Sequence, residues 1–446
     1  MDLKGKRIAV LGAGSSGYAA AALARSRGAD VEAFDSGSPE KLAAAVEKFS
    51  GSGLTLTCGD AALTPPGHFD LTVISPGIDT AWPIATAFSA ASSELIGEIE
   101  LAYRLGDAPV IAITGTNGKT TTTALISDML NAAGLKAIAA GNIGLAYSEV
   151  VLSGKPYDRI VLEVSSFQLE TVSRFNPEVA IWMNFAPDHM DRYRIIEDYH
   201  SAKFRIFQNR SLEAPAIHKW ECDLGLKGNT VTFSAFRQGG DFHYRDGLIL
   251  HAATGREFSF FSGTLQGKHN AENVMVALAV ADCLGIEWAT ITAAINSFKA
   301  PPHRCEKVAT INGVTYLNDS KSTNLHSLES ALIGQENPVV LIAGGKNKGL
   351  DFSEIREVAG KMARLVICIG EIAQEISAAW DGVVPSHIAS DVNEAVRMAA
   401  ALAGTGEVVL FSPGTSSFDM FTGYEARGVA FREAVAALEV NRTILL

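Results

Sequence analysis

Ile113–Leu125 reads ITGTNGKTTTTAL, and this stretch decides how the middle of the chain is interpreted. The apolar run VIAIT just before the loop predicts a buried strand, and the threonines after Lys119 predict a helix that begins near Thr120. A complete Walker A motif would need a glycine at Ile113, so only the shorter loop Gly115–Thr120 remains. The backbone N–H groups of such a loop and the Lys119 ammonium favour phosphate oxygens, and the Thr120 hydroxyl can reach Mg²⁺. The alternative is a polar helix cap without a ligand, which the Gly-Lys-Thr sequence disfavours.

A second glycine-containing turn lies near the N-terminus, in RIAVLGAGSSGYAAAALARSRGADVEAFD. Gly12, Gly14 and Gly17 follow an apolar strand and open an alanine-rich helix, and Asp35 ends the next strand. Such glycines let the backbone approach a diphosphate at a helix N-terminus, and an acid placed like Asp35 can accept hydrogen bonds from a ribose. On local grounds NAD is the first hypothesis, although the pattern indicates a nucleotide-like diphosphate more securely than NAD itself. A tight strand–helix turn without a ligand is the structural alternative.

The composition predicts a globular chain of several domains. The 446 residues suggest about three domains. Apolar residues make up 47% and charged residues 19%, which is enough to build large cores. The formal net charge of -12 disfavours nucleic acid as a partner, because binding to its backbone needs clustered positive charge. The five cysteines form no Cys-x-x-Cys pair, which predicts reduced thiols in a cytoplasmic protein. We expect no signal peptide and no membrane insertion, because we find neither a cleavage region nor an apolar run of ~18 residues.

Strand and helix patterns fall into three consecutive α/β blocks, which predict domains at 1–98, 99–300 and 301–446. The apolar strands suit parallel sheets that are covered on both faces. Within the middle block, residues 230–266 show short alternating stretches that predict a local antiparallel piece. A Pro-Pro pair marks the start of the last block. Strands of that block end in small or polar residues, at the edge where open α/β sheets bind ligands.

Charged residues also lie next to apolar strands of the middle block. Glu163 ends the strand IVLEV, and His189 follows the strand VAIWMNF, so that a parallel sheet would present both near the phosphate loop. A carboxylate in an apolar strand is costly unless it is paired or bound to a metal. Its oxygens suit Mg²⁺, whereas a histidine is more typical of Mn²⁺. Taken alone, His189 is better interpreted as a loop histidine, and Lys203 as a surface lysine that extends past aromatic neighbours.

Together these motifs resemble those of the Mur ligases, ATP-dependent enzymes that extend the peptide stem of bacterial cell-wall precursors. The matching segments lie in order between residues 114 and 306: TGTNGKTTT, GNIG, LEVSSFQLE, NFAPDHMDRY, SAKFRIF, GKHNAENV and PPHRCE. In the last block, NDSKSTN, GGKNKGLDF and SPGTSSFDMFTGYEARG resemble the members that add D-glutamate to UDP-N-acetylmuramoyl-L-alanine. The resemblance covers nearly the whole chain and implies a role in peptidoglycan synthesis, and so in cell shape and cell division.

The resemblance implies an α/β fold of three domains. These are a Rossmann-like UDP-binding domain, a central P-loop ATPase-like domain with the small antiparallel piece, and a Rossmann-like C-terminal domain for the amino acid. At the first glycine turn it implies a uridine diphosphate in place of NAD. It implies ATP with two Mg²⁺ sites, or Mn²⁺ in their place, and activation of a carboxylate as an acyl phosphate before D-glutamate attacks. A monomer is expected.

The resemblance also assigns roles to individual residues. For ATP it implies Gly115, Thr116, Asn117, Gly118, Lys119, Thr120, Thr121, Asn273, Arg304 and Asp319. For the UDP-sugar it implies Gly14, Ser15, Ser16, Gly17, Asp35, Ser36, Gly77 and Asn142. For D-glutamate it implies Lys321, Thr323, Lys348, Ser417 and the backbone N–H of Tyr424. One metal site is implied at Thr120 and Glu163, and a second at His189 and a carbamylated Lys203. The groups implied in catalysis are Lys119, Asn142, Glu163, His189 and Lys203.

One segment departs from the family pattern, and two other functions compete with it. The loop GGKNKG carries Lys346 and Asn347 where family members often have an acid. A folylpolyglutamate synthetase would share the ATP domain but not the first domain or NDSKSTN. An NAD-binding oxidoreductase would use Gly12 to Asp35 but would leave the loop at Gly115 unexplained.

Overall fold

The computed structural model describes residues 1–190, 192–260, 265, 267–335 and 337–443. Within these residues the chain divides into two compact units. The first holds the described residues up to 260 and those of 272–298, and the second holds those from 265 to 271 and from 299 to 443. Three separate sheets, each flanked by helices, follow one another along the chain, which confirms the predicted α/β class. The domain boundaries predicted after residues 98 and 300 stay predictions.

The first sheet has five parallel strands in the order β3-β2-β1-β4-β5. The strands are β1 (Arg7–Leu11), β2 (Asp30–Asp35), β3 (Thr55–Cys58), β4 (Leu71–Ile74) and β5 (Leu95–Gly97). The helices are α1 (Ser15–Ser26), α2 (Ala43–Gly51), α3 (Pro83–Ala90) and α4 (Glu98–Leu105). The chain leaves β1 in opposite directions toward β2 and β4. The loops after β1 and β4 therefore flank the crevice in which doubly wound sheets bind ligands.

The second sheet has nine strands in the order β14-β13-β12-β11-β10-β9-β6-β8-β7. The strands are β6 (Val110–Thr114), β7 (Ala137–Gly141), β8 (Arg159–Glu163), β9 (Val179–Trp182), β10 (Ala216–Lys219), β11 (Thr230–Ser234), β12 (Phe242–Arg245), β13 (Leu248–His251) and β14 (Glu257–Ser259). The helices are α5 (Lys119–Ala132), α6 (Tyr147–Leu152), α7 (Ser166–Leu169), α8 (Ile196–Phe204), α9 (Lys268–Cys283) and α10 (Trp288–Ser297). Every residue of β6 is buried, which explains why its sequence is a continuous apolar run.

The predicted antiparallel piece is confirmed in this second sheet. β13 pairs antiparallel with both β12 and β14, whereas the pairing of β11 with β12 is parallel. Residues 261–264 and 266, at the end of the predicted stretch, lie outside the described residues. The antiparallel strands extend the sheet on the side away from β7 and β8, so they leave the carboxyl ends of β6, β8 and β9 next to one another.

The third sheet has six strands in the order β15-β16-β20-β17-β18-β19. The strands are β15 (Glu306–Ile311), β16 (Val314–Asn318), β17 (Val339–Gly344), β18 (Ala363–Ile369), β19 (Ser386–Ile388) and β20 (Val408–Phe411). The helices are α11 (Leu325–Ile333), α12 (Arg356–Met362), α13 (Ala373–Ala379), α14 (Val392–Leu402) and α15 (Tyr424–Thr443). Short 3₁₀ turns lie at Gly59–Leu63, Arg205–Phe207 and Phe352–Ile355.

The third sheet is parallel except for a hairpin at its edge, which the sequence analysis did not predict. β15 and β16 pair antiparallel through Asn312 and Gly313, whose φ angles are 54° and 76°. Two consecutive residues with positive φ are typical of the tight turn that suits the twist of a hairpin, and Asn-Gly is its usual sequence. Among the described residues, no helix is both long and apolar enough to cross a membrane.

Candidate functional site

The loop Gly115–Thr120 joins β6 to α5, and its glycines have steric reasons to be glycine. Gly115 has φ 145°, and a Cβ there would lie 2.8 Å from the Cβ of Met183. Gly118 has φ 82°, and a Cβ there would lie 2.9 Å from Oδ1 of Asn273. Gly118 also precedes the first residue of α5 and offers no side-chain cap. The helix therefore begins without the polar side-chain cap that was the alternative interpretation.

Asn184, which follows β9, holds the outer part of this loop. Its Oδ1 accepts from the N–H of Asn117 at 2.8 Å, and its Nδ2 donates to the carbonyl of the same residue at 3.1 Å. The hydroxyl of Thr116 donates to the Ala186 carbonyl and accepts from the Ala186 N–H, both at 3.1 Å. The loop and the segment after β9 are thus fixed to each other, although the sequence analysis did not single out Asn184 or Ala186.

Two lysines direct their ammonium groups at the same part of the loop. Lys119 Nζ donates to the carbonyls of Gly115 and Thr116, each at 2.8 Å. Lys203, on α8, donates to the Gly115 carbonyl at 2.9 Å and is only 2% exposed. Burial holds the pKa of Lys203 well below its usual value, and the charge of Lys119 lowers it further, against the opposing carboxylates of Asp188 and Glu163. Lys203 is therefore a buried amine beside the loop, and its interpretation as a surface lysine is wrong.

Glu163 and Asn142 lie together at the carboxyl ends of β8 and β7. Asn142 Nδ2 donates to Glu163 Oε1 at 3.0 Å, and its backbone N–H donates to the Glu163 carbonyl at 2.9 Å. Gly141 permits this approach, because a Cβ there would lie 2.3 Å from that carbonyl oxygen. Glu163 is 2% exposed, and its Oε2 has no hydrogen-bond partner among the described residues. A buried carboxylate oxygen left in this state calls for a cation or a donor from outside the chain.

His189 lies on the loop between β9 and α8 in a left-handed conformation, with φ 58°. Its ring packs against Phe167 at 4.8 Å between centroids, and its Nε2 is 3.8 Å from Oδ2 of Asp188. Its side chain is 40% exposed, in contrast to the buried Glu163. Among the described residues, no three His, Cys, Asp or Glu side chains converge closely enough to hold a metal ion.

In the first sheet, the glycine turn after β1 is shaped by Asp35. One carboxylate oxygen accepts from the Ala13 N–H and the other from the Gly37 N–H, each at 2.8 Å. A Cβ at Gly17 would lie 1.9 Å from the Gly12 carbonyl oxygen, so only glycine permits this contact between helix and strand. Asp35 thus makes backbone contacts on both oxygens, a structural role that the sequence analysis did not anticipate.

The remaining UDP-site candidates lie on the exposed side of this crevice. α1 begins at Ser15 after Gly14 and has no side-chain cap, which leaves amides at its N-terminus for an anion. Gly14, Ser15, Ser36 and Gly77 are exposed, and Ser16 is half-buried. The loops of β1 and β4 meet, because a Cβ at Gly12 would lie 2.6 Å from Ser75 Oγ.

For the ATP candidates, Asn273 belongs to the first unit and accepts from the hydroxyl of Thr122 at 3.0 Å. Asp319 and Arg304 belong to the second unit. Asp319 accepts from the Cys305 N–H at 3.1 Å and from the Ser412 hydroxyl at 2.8 Å, and burial raises its pKa to about 6 despite the nearby charge of Arg304.

The residues on either side of Arg304 both have left-handed backbone conformations. His303 and Cys305 have φ angles of 65° and 45°. Strain of this kind is common at functional sites, where the surrounding structure compensates for it.

The five D-glutamate candidates come from three loops of the second unit. Lys321 lies over the Tyr424 ring with Nζ 4.9 Å from the centroid, and Lys348 Nζ donates to the Thr323 carbonyl at 3.3 Å. Ser417 is 2% exposed. Tyr424 is the first residue of α15, so its N–H is one of the amides at the helix N-terminus.

Arg427 joins two of these loops and was missed by the sequence analysis. It is fully buried, and it donates to the Ser320 carbonyl at 2.8 Å and to the Thr415 carbonyl at 3.1 Å. Burial lowers its pKa to about 10. No signal in the sequence singles Arg427 out, because α15 carries other charged residues as well and a sequence does not say which carbonyls an arginine will reach.

Asn347, where family members often have an acid, shapes its own loop. Its Oδ1 accepts from the Gly349 N–H at 2.8 Å, and its backbone N–H donates to Glu371 Oε2 at 3.1 Å. An asparagine oxygen can make this local turn as well as a carboxylate does. Asn347 therefore makes a local turn that an acid at this position could also make. The Lys346 N–H donates to the Ser416 carbonyl at 2.9 Å.

The site consists of a lysine-bearing glycine loop at the end of a parallel strand and a buried carboxylate at the end of the neighbouring strand. This combination defines an α/β protein of the P-loop class that handles nucleotide phosphates. The model of the Mur ligase middle domain matches residues 113–281, and the model of the Mur ligase glutamate ligase domain matches residues 303–414. The chain belongs to the Mur ligase family, an assignment that also rests on relatives matched over nearly its full length.

Two relatives illustrate the match. A UDP-N-acetylmuramoylalanine--D-glutamate ligase from Geobacter metallireducens is 38% identical, and the match covers 98% of this chain and 99% of the relative. One of the same description from Caldanaerobacter subterraneus subsp. tengcongensis is 38% identical, over 98% of this chain and all of the relative. The sequence-based resemblance to Mur ligases is thus confirmed, and the NAD-binding oxidoreductase is not supported.

Solved structures support the fold. A UDP-N-acetylmuramate-alanine ligase from Thermotoga maritima matches with a TM-score of 0.61 and 17% identity, over 97% of this chain and 99% of that one. A pseudomurein peptide ligase type C from Methanothermus fervidus matches with a TM-score of 0.62 and 17% identity, over 97% and 100%. A folylpolyglutamate synthase from Mycobacterium tuberculosis shares the fold with a TM-score of 0.56 at 14% identity, but it covers 74% of this chain.

Proposed function

We propose that this chain joins D-glutamate to UDP-N-acetylmuramoyl-L-alanine at the expense of ATP, a step of peptidoglycan precursor synthesis. The observation that carries the proposal is the 38% identity to ligases of that description over 98% of the chain. The lysine-bearing loop and the buried, unpartnered oxygen of Glu163 support the proposal, because groups of these kinds bind nucleotide phosphates and a hard cation.

The chemistry follows from the weakness of a carboxylate as an electrophile. The γ-phosphoryl group of ATP passes to an oxygen of the L-alanyl carboxylate, while its bond to ADP breaks. The unprotonated amine of D-glutamate then attacks the carbonyl carbon, its nitrogen loses a proton to solvent, and phosphate leaves with the electron pair of the C–O bond. The protein's part is to place the reactants and to stabilise the negative charge of the transferring phosphoryl group. Lys119 and the N-terminal amides of α5 supply positive charge for the phosphates.

Residues near the loop fit a bound Mg²⁺, and we assign two sites by the family pattern. The unpartnered Oε2 of Glu163 suits a hard cation, and Thr120 at the start of α5 would supply a hydroxyl. His189 and a carbamylated Lys203 would belong to a second site, in which Mn²⁺ can replace Mg²⁺. When bound, the metal would neutralise phosphate charge.

The carbamate at Lys203 is proposed on its burial and contacts. The amine is 2% exposed and its hydrogen bond goes to a neutral carbonyl, so a permanent ammonium there is expensive. The unprotonated nitrogen attacks dissolved CO₂, an N–C bond forms, and a proton leaves to solvent. The product is an anion beside the cationic Lys119, so the two groups attract each other.

The remaining roles also follow the family pattern. Asn142 is proposed to contact the substrate near the reacting carboxylate, and Asn273, Arg304 and Asp319 to contact ATP. The turn after β1 and Gly77 would bind the diphosphate, with Asp35 and Ser36 toward the uracil. The two hydrogen bonds of Asp35 to its own loop limit its part at the uracil to lone pairs not already used. We further propose that the enzyme is a monomer in the cytoplasm, which sedimentation and fractionation can test.

Phosphate release provides the decisive experiment. With ATP and UDP-N-acetylmuramoyl-L-alanine, we expect release with D-glutamate and background rates with L-glutamate, L-lysine and meso-diaminopimelate. Lys321, Lys348 and Ser417 provide cations and a hydroxyl for a small dicarboxylate, which is why the long cationic amino acids should fail. Comparable release with L-lysine or diaminopimelate would refute the proposal. As a binding control, ATP and the UDP-sugar should raise the melting temperature, and NADH should not.

A further inference from the structure

The guanidinium of Arg192 contacts the loop that follows β4, at the two residues that flank Gly77. Its Nη1 donates to the Pro76 carbonyl at 3.1 Å and its Nη2 to the Ile78 carbonyl at 3.4 Å. Its Nε lies 3.9 Å from Oδ2 of Asp79. One side chain thus contacts the segment Pro76–Asp79 from end to end.

The other face of Arg192 contacts residues of α7 and its C-terminal end, in the segment between β8 and β9. Glu170 Oε2 accepts from Nη2 at 2.5 Å, and the guanidinium carbon lies 4.4 Å from the centroid of the Phe167 ring. The other oxygen of Glu170 accepts from the Tyr193 hydroxyl at 2.6 Å. The side chain of Arg192 is 12% exposed, so these contacts are largely shielded from water and stronger than those of a surface pair.

Arg192 also lies on the segment that carries His189. Its backbone N–H donates to the His189 carbonyl at 3.0 Å, and the N–H of Tyr193 donates to the same carbonyl at 3.1 Å. A movement of Arg192 would therefore disturb the turn at His189 as well as the loop at Gly77. Among the described residues, this arginine connects a candidate diphosphate-binding loop with a candidate residue of the reacting centre.

The hydrogen bond from Arg192 to the Pro76 carbonyl shows in which direction the Gly77 N–H points. In a planar trans peptide, the carbonyl of one residue and the N–H of the next point in opposite directions. Because the Pro76 carbonyl faces Arg192, the Gly77 N–H faces away from it. Gly77 is exposed, and a Cβ added there would meet nothing within 4 Å. Within the described residues, that N–H has no protein acceptor, so it is directed at solvent or at a ligand.

We propose that Arg192 is a positioning residue for the diphosphate of the UDP-sugar, which acts by orienting the Gly77 amide toward the phosphate oxygens. The inference rests on the proposed function, because it takes the turn after β4 as part of the UDP site. Arg192 itself touches carbonyl groups and not the ligand. Its loss should weaken the binding of a second phosphate and leave the binding of ATP, which uses the loop at Gly115, nearly unchanged.

The experiment measures how much the second phosphate contributes to binding. Isothermal titration calorimetry of the full chain with UDP and with UMP gives this contribution as the ratio of the two dissociation constants. In Arg192→Gln we expect UDP to bind about 10- to 100-fold more weakly, the scale of a lost charged hydrogen-bond arrangement. UMP should change by less than about 3-fold. Arg192→Lys keeps the charge near Glu170 but cannot reach both carbonyls, so it should be intermediate.

Arg194→Gln is the matched control, because Arg194 is exposed and lies two residues from Arg192. Its ratio of the dissociation constants for UDP and UMP should equal that of the wild type.

In kinetics, Arg192→Gln should raise the KM for the UDP-sugar without a comparable rise in the KM for ATP. Equal losses for UDP, UMP and ATP would show a general structural role and overturn the inference, and so would an unchanged ratio. If Arg192→Gln does not fold, the ratio in Arg192→Lys decides. A wild-type chain that neither prefers UDP over UMP nor uses D-glutamate would instead refute the proposed function.

Discussion

Lys119 and Lys203 donate to the same acceptor, the carbonyl oxygen of Gly115, at 2.8 and 2.9 Å. If Lys203 carried a proton, the two ammonium groups would repel each other, and the burial of Lys203 would strengthen that repulsion. The repulsion between the two lysines is absent when Lys203 loses its proton or becomes an anion. It is also relieved when phosphate oxygens draw Lys119 away from its own loop. The pair therefore connects the charge state of Lys203 with the phosphate-binding lysine.

The first prediction concerns the carbamate. Lys203→Ala should be nearly inactive, and formate or acetate should restore part of the activity because a small carboxylate can occupy the space of the lost carbamate. The wild-type enzyme should incorporate isotopically labelled CO₂ in a form that NMR detects and that disappears in Lys203→Ala. Lys155→Ala, at an exposed position, is the control and should keep full activity. Rescue by alkylamines but not by carboxylates would show that a cationic lysine acts instead.

The second prediction concerns the phosphate loop. Lys119→Ala should lower turnover by about 100-fold or more, because a charge aimed at the transferring phosphoryl group is lost. Binding of the UDP-sugar, measured by calorimetry, should stay near the wild-type value. Lys136→Ala removes an exposed lysine beyond the end of α5 and should change neither quantity. Retention of most of kcat in Lys119→Ala would remove this loop from the chemistry.

The third prediction separates the amino-acid site from the ATP site. Lys321→Ala and Ser417→Ala should each raise the KM for D-glutamate by about 10- to 150-fold, which corresponds to roughly 1.5–3 kcal/mol for a hydrogen bond to a charged group. The KM for ATP should change much less. Ser416→Ala, in the same loop but only half-buried, is the control and should leave the KM for D-glutamate near the wild-type value. If the variants affected only the KM for ATP, the assignment of this site would be wrong.

The fourth prediction concerns pH and Asp319. Its pKa rises from the ordinary 3.8 to about 6 because the carboxyl is buried. The folded state therefore binds this proton more tightly than the unfolded chain, and the stability that the proton provides is lost as pH rises through about 6. Asp319→Asn cannot lose a proton, so near pH 7.5 it should be more stable than the wild type by up to about 3 kcal/mol, at about 1.4 kcal/mol per pKa unit. Near pH 4 the difference should vanish.

Thermal unfolding at the two pH values measures this difference, and Asp381→Asn, at an exposed position, is the control that should show none. The amide can keep both contacts of Asp319, since its oxygen can accept from Cys305 N–H and its nitrogen can donate to the Ser412 hydroxyl. We expect the variant to lose activity, because the negative charge of Asp319 is proposed to contact ATP. A variant that is less stable than the wild type at pH 7.5 would contradict the cause assigned to the shift.

Some elements of the site could be predicted because their signal is local. The loop Gly115–Thr120 lies within six consecutive residues, and the strands that deliver it and Glu163 are continuous apolar runs. The hairpin at Asn312 and Gly313 also had a local signal. It was missed because the surrounding strands were interpreted as one parallel series, in which an Asn-Gly turn has no place.

Other features had no local signal at all. Lys203 looked like a surface lysine among aromatics, and its burial depends on the packing of α8 against the loop after β6. Arg192 donates to the carbonyl groups of Pro76 and Ile78, and Arg427 donates to that of Ser320; all three lie more than a hundred residues away in sequence. The other contacts, of Arg427 with the Thr415 carbonyl and of Arg192 with the Glu170 carboxylate, are nearer in sequence. Carbonyl groups are present in every residue, so no pattern of side chains marks which of them an arginine will meet.

The sequence by itself determined the α/β class, the two glycine turns and the family, since periodic apolar runs and short motifs are written in neighbouring residues. Only the tertiary structure decided which charges share one acceptor, which carboxylate oxygen remains unpartnered, and which way the Gly77 amide points. These properties depend on distances and on exclusion of water between segments that are far apart in the chain. Electrostatic energies change steeply with both, whereas a linear pattern records neither.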